Sequence, residues 1–216
     1  MGTKNRKDFK IMCQVLERLN ELSIKKWHQQ KDLRGSTIGP RTIYNFERLT
    51  TRYYPIHETA FKKLVSETSE DLCLYFEKGY YLPPLDYDRE FIPLLALDCN
   101  LKHEPPILMF RVGLYRYDPR KIDKFQGIGF RFEKYEESNH NYYHMQLTKK
   151  PIKIQEYEYL EWMPEHIPCV LLPAKDPVSL IFSMLISLYG NRIAEQMITP
   201  MNIDGKYKEP LKFLHF

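Results

Sequence analysis

The apolar residues of this chain change period part-way along it. Between Asp8 and Gln30, Phe9, Met12, Cys13, Leu16, Leu19 and Trp27 recur at three- and four-residue intervals, and Ile11, Val15 and Leu22 widen the stripe. That spacing puts them on one face of a helix. Later, "PILMFRVGLYRYDP", "GIGFRFEKYE" and "YYHMQL" alternate and are rich in aromatic and branched residues, with turn signals at Asp118 and Pro119 and in "ESNHN". They read as at least three antiparallel strands in a meander. One chain carrying both periods in separate blocks is an α+β protein.

The helical block extends to about residue 80. "DLRGSTIGP" breaks the first helix, and Pro40 suits the first turn of a second, through Ile43, Phe46 and Leu49. A third helix is expected from His57 to Glu77, with Phe61, Leu64, Val65, Thr68, Leu72, Cys73 and Phe76 on its buried face and Gly79 as its stop. "YYLPPLDYDREFIPLLALDCN" reads as a connector with at most one helical turn. A further extended segment is expected in "KIQEYEYLEW", and the prolines of "PEHIPCVLLPA" favour an edge or an irregular path. Asp176 and Pro177 then supply an N-cap and first residue for "VSLIFSMLISLYG", which ends at Gly190. This helix is apolar almost all round and is expected to cover the sheet. Its serines, Ser179, Ser183 and Ser187, recur every four residues and read as a close-packing stripe or as the wall of a hydroxyl-lined pocket. The division expected is a basic helical subdomain over 1–80, followed by an antiparallel sheet with its covering helix and an aromatic tail over 81–216.

The polar residues between the sheet's apolar ones raise the functional question. Keeping Phe130 and Phe132 on one face with Tyr143 and Met145 requires opposed residues whose numbers sum to an odd value. The most economical register pairs Phe132 with Tyr143, Arg131 with His144 and Glu133 with Tyr142. Arg131, Glu133, Tyr142, His144 and Gln146 then share the other face, opposed side chains about 5 Å apart at Cβ. His140 and His144 lie roughly 13 Å apart along a strand, too far to ligate one metal, and the H-E-x-x-H pattern of helical zinc sites is missing. A metal-free site is easier to build: His144 to move protons, Glu133 to orient it, Arg131 to hold a phosphate. Such parts suit cleavage of RNA, where a base activates a 2′-hydroxyl beside a stabilising cation. Cross-strand polar pairing with no chemistry accounts for the same residues.

Other signals are local. Asp86 and Asp88 form a D-x-D beside Pro83 and Pro84, read as turn or cap hydrogen bonding ahead of a cation site. No P-loop, dinucleotide glycine fingerprint, G-x-S-x-G elbow or Cys and His zinc ribbon is found. Common nucleotide-dependent enzymes are therefore disfavoured, and neither a cofactor nor a metal is called for.

Charge is uneven. Residues 1 to 63 hold 14 Lys and Arg against 6 Asp and Glu, whereas the rest hold 18 against 22. A basic N-terminal part faces solvent, nucleic acid or an acidic partner, with Lys25, Lys26, Arg48 and Arg52 as the candidate contacts. The 16 tyrosines, interleaved with cations in "ERLTTRYYP", suit base stacking as well as packing. The tail "PLKFLHF" is too aromatic for a solvated terminus and is expected to dock on the body or on another subunit, which leaves a homo-oligomer open. The four cysteines are widely spaced among apolar neighbours, no apolar leader follows the charged start, and no apolar run reaches the about 20 residues of a membrane span. A cytoplasmic protein with no membrane contact is expected.

The succession "GFRFE", "HNYYHMQ", "PEHIPCVLLPA" and a helix ending "SLYG" resembles small uncharacterised bacterial proteins, some of which sit among phage-defence genes. The likeness covers roughly residues 127 to 190 and transfers no catalytic residues. It implies a bacterial cytoplasmic protein that works with neighbouring gene products. The function expected is therefore a non-enzymatic component of a nucleic-acid-handling or phage-defence complex. The alternative is a small metal-independent, toxin-like ribonuclease using His144, Glu133 and Arg131.

Overall fold

The computed structural model describes residues 3–32, 72–85, 91–103, 107–117, 125–135, 142–148, 157–159, 170–190, 193 and 195–196. A long helix, α1 (Thr3–Asp32), comes first. Seven strands follow: β1 (Cys73–Tyr81), β2 (Ile92–Asn100), β3 (Ile107–Tyr117), β4 (Phe125–Tyr135), β5 (Tyr142–Thr148), β6 (Tyr157–Tyr159) and β7 (Val170–Leu171). A second helix, α2 (Pro177–Tyr189), follows the last strand. Six strands lie in the order β1-β2-β3-β4-β5-β7, each antiparallel to its neighbour, and β6 adds to the start of β4 in parallel. The chain is thus α+β.

Register divides the sheet into two faces. One carries Leu74, Leu97, Cys99, Phe110, Val112 and Phe132, all buried in one core with Phe9, Met12, Leu16 and Leu19 of α1 and Leu180, Ile181 and Met184 of α2. The Cys99 Sγ lies 3.9 Å from the Met12 Sδ, which places α1 on this face. Each such aliphatic or aromatic side chain withdrawn from water contributes roughly 1.5–3 kcal/mol, so helices and sheet hold one another.

The ends of α2 are as the sequence requires. The Asp176 carboxylate accepts from Ser179 N at 2.9 Å while the Ser179 Oγ accepts from Asp176 N at 3.0 Å, a reciprocal capping box. Gly190 closes the helix at φ 63°, its N–H donating to Ile186 O. Ser183 Oγ donates to Ser179 O and Ser187 Oγ to Ser183 O, at 2.9 and 2.8 Å. These hydroxyls are satisfied by their own helix, which favours the packing reading of the stripe.

Two expectations are corrected. The helix expected to run to Glu77 does not: Leu72 sits at φ 52° and Cys73 begins β1, so Cys73 and Phe76 are strand residues. Gly79 stops no helix, because the β1–β2 register shifts between Phe76 and Tyr80, the irregularity a strand glycine accommodates. "IPLLALDCN" is no connector but the strand β2, paired on both sides. Its residues from Ile92 to Leu97 are buried without interruption, so the two-residue alternation that marks a half-buried strand is missing. The second helix from Pro40 and the start of the third, Asp86 and Asp88, and the aromatic tail lie outside the described residues. Among those described, no helix is long and apolar enough to cross a membrane.

Candidate functional site

The face of the sheet turned away from α1 is polar at its centre. β4 and β5 pair with opposed numbers summing to an odd value, as the apolar faces demand, but the pairing is displaced by two residues from the register expected. Glu133 faces His144, Arg131 faces Gln146 and Phe132 faces Met145, and pairing ends at Tyr135 and Tyr142. Parity is set by which side chains must be buried. Offset is set by the length of the connection, here residues 136–141, which the face pattern does not constrain.

The displacement changes who meets whom. The Glu133 Oε1 lies 2.8 Å from the Arg131 Nε and 3.2 Å from the His144 Nε2, so one carboxylate oxygen meets both the guanidinium and the imidazole. The Arg131 Nε finds no aligned acceptor in Glu133; the contact is charge pairing at close range. Its directed hydrogen bond runs from Nη2 to the Gln146 Oε1, at 2.6 Å. Tyr142, two residues along β5 on the same face, meets the imidazole edge-on with ring centroids 5.7 Å apart.

Burial decides what this cluster can do. His144 is 1% exposed and the Glu133 side chain 9%, whereas the Arg131 side chain is 35% exposed. His144 lies in the ladder between Glu133 on β4 and Leu171 on β7. Burial lowers its pKa from the ordinary histidine value; Glu133 pulls it back up, through charge and hydrogen bonding, and Arg131 pushes it down again. The imidazole is therefore held neutral at physiological pH, and Arg131 is the member that reaches solvent.

Of the residues expected to form sites, Arg131, Glu133 and His144 are brought together. Lys25 and Lys26 lie elsewhere, on α1, with Lys25 exposed and Lys26 half-buried; Arg48, Arg52 and His140 are outside the described residues. No group of three or more His, Cys, Asp or Glu able to hold a metal occurs among the described residues.

A residue that sequence reasoning missed completes the polar face. Arg111 on β3 stands directly opposite Arg131. A signal for it exists: "FRVG" and "GFRF" are near mirror images, and running them antiparallel matches Phe110 with Phe132, Arg111 with Arg131, and Gly113 with Gly129. The α1 surface also exposes more cations than the two named: Arg6, Lys7, Lys10 and Arg18 join Lys25.

No protein-family model matches the chain, and neither a curated protein nor a solved structure matches it. Function has to be read from these surfaces themselves.

Proposed function

We propose that this protein is a non-enzymatic binding component that carries nucleic acid, or an acidic partner protein, on the exposed side of α1, as a subunit of a bacterial nucleic-acid-handling or phage-defence complex. One observation carries the reading. Arg6, Lys7, Lys10, Arg18 and Lys25 are all exposed, and at 100° per residue they fall within one third of the helix circumference. From Lys7 to Lys25 the stripe spans roughly 27 Å at about 1.5 Å per residue. Within the stripe Arg18 pairs with Glu21 at 3.3 Å, a solvated and weak contact that phosphates can replace at little cost. Cations in such a row neutralise successive phosphates and release counterions, which gives affinity without sequence preference.

The test is fluorescence anisotropy of labelled single- and double-stranded oligonucleotides over a salt series. Lys10→Glu, Arg18→Glu and Lys25→Glu together are expected to weaken binding at least tenfold and to flatten the salt slope by roughly 0.7–0.9 per lost contact. Binding that ignores both salt and the triple reversal would sink the reading. If nucleic acid does not bind, co-purification of an acidic protein that the triple variant releases is the other arm.

The ribonuclease alternative has one observation in its favour, the carboxylate of Glu133 touching both Arg131 and His144. Burial of His144 weighs against it, because a general base must come within hydrogen-bond reach of the hydroxyl it deprotonates. His144→Gln separates the two, since the non-enzymatic reading predicts unchanged oligonucleotide affinity and no cleavage by either protein.

A further inference from the structure

Arg111 and Arg131 are adjacent cations on the face opposite α1. Like charges directly opposed on neighbouring strands are destabilising unless something lies between them. Arg131 has its compensation on one side, from Glu133 and Gln146. Arg111 has none: its Nε is buried with no hydrogen-bond partner, and no carboxylate among the described residues pairs with it. Its other cross-strand neighbour is Ala96. Asp98 is on the same face of β2 but stands opposite Met109, one step along the ladder, and forms no ion pair with it. The rung on the other side is Gly113 facing Gly129, where the Tyr115 ring lies over Gly113, so no aliphatic side chain crowds the guanidinium there.

We infer that Arg111 and Arg131 together bind a small tetrahedral oxyanion, a phosphate dianion either free or as the end of a phosphate monoester. The guanidinium fork matches two phosphate oxygens at once, and two forks set side by side on a sheet fit one anion between them. Both side chains are half-buried, shielded enough to strengthen the contact and open enough for an ion to enter. Gln146 on β5 holds Arg131 from the side away from Arg111, and Glu133, two residues along β4 and diagonal to Arg111, steadies Arg131 at the cost of some repulsion of the anion. This site is separate from the α1 stripe and stands or falls without it.

Thermal unfolding is followed in sodium phosphate, in phenyl phosphate and in sodium chloride, at matched ionic strength and about pH 7.5. The melting temperature of the wild-type protein is expected to rise with phosphate beyond the chloride control, and calorimetric titration with inorganic phosphate is expected to give a saturable heat. Arg111→Gln should weaken that binding roughly tenfold or more, the loss of a charge-assisted pair. Arg111→Lys, which keeps the charge and loses the fork, should fall between. Lys10→Glu with Lys25→Glu should leave the phosphate response intact. A response to phenyl phosphate as strong as that to phosphate assigns the site to monoester ends; a response to inorganic phosphate alone assigns it to the free ion. Equal effects of phosphate and chloride on the wild type overturn the proposal, as does an undiminished response in Arg111→Gln. Should Arg111→Gln fail to fold by circular dichroism, Arg111→Lys decides, and an undiminished response there counts against the fork.

Discussion

Glu133 and His144 are direct cross-strand partners, their side chains 3.2 Å apart on the polar face of the sheet, and Arg131 approaches the same carboxylate oxygen from two residues away on β4. Because that carboxylate is buried while Arg131 stays partly solvated, removing it leaves a cation with half its compensation. Glu133→Leu is expected to cost roughly 2 kcal/mol, below the ~3–5 kcal/mol of a fully buried pair. The double variant Glu133→Leu with Arg131→Leu should recover part of that loss. Urea unfolding midpoints at constant slope measure both; a double variant worse than the sum of the singles would contradict this account.

His144 makes stability fall on mild acidification. Its folded-state pKa lies below the ordinary 6.5, so below that value the unfolded chain binds a proton that the folded one refuses. The contribution is complete above pH 6.5 and is lost as pH falls from there towards the folded pKa. Unfolding free energies from pH 8 to 5.5 should bend downward in the wild type and stay flatter in His144→Gln. Asp176 works in the opposite sense, since burial raises its carboxyl above 3.8 and acid then favours the folded state. Its effect belongs to the more acidic end of the scale.

Two glycines of the meander answer differently to the same substitution. A methyl at Gly127 would collide with the Leu114 carbonyl, which is fixed in the ladder, whereas one at Gly113 would meet the outer part of the Tyr115 ring. Gly127→Ala should therefore destabilise by roughly 1–3 kcal/mol and Gly113→Ala by less. Tyr115→Leu, added to each variant, should relieve the cost of Gly113→Ala and leave that of Gly127→Ala, set by the Leu114 carbonyl. Thermal midpoints of the wild type, the two glycine variants, Tyr115→Leu and the two doubles settle the order.

The thiol of Cys13 is pushed up to about 12, chiefly by burial and further by Glu17, and burial also raises Cys99. At about pH 8 neither offers appreciable thiolate. Iodoacetamide should leave both unlabelled in the native protein and label both in concentrated urea, as read by peptide mass spectrometry. Rapid native labelling of either would place it outside the core.

Where the sequence could be read, one physical constraint acted alone. α1 and α2 follow from a stripe at helical spacing and from Asp176, Pro177 and Gly190 at the ends. β3, β4 and β5 follow from alternation. β2 was hidden because it is buried on both faces, and β1 because Leu72, Cys73 and Phe76 happen to sit at helical intervals while their partners, Leu101, Asn100 and Leu97, are distant in the chain. The site was legible to the same degree. Parity put Arg131, Glu133 and His144 on one face, but their contacts depend on an offset no face pattern fixes. Arg111 needed the neighbouring strand's register as well.

The short stretch after β1 is fastened by both helices. Trp27 Nε1 donates to Leu82 O at 2.8 Å, and Tyr189 Oη donates to Pro83 O at 2.6 Å, across 55 and 106 positions. During translation α1 is made well before the strands and the helix α2 that share its core. Its apolar stripe therefore stays partly uncovered until Pro177–Tyr189 has followed, and a holding chaperone is expected to shield it over that interval.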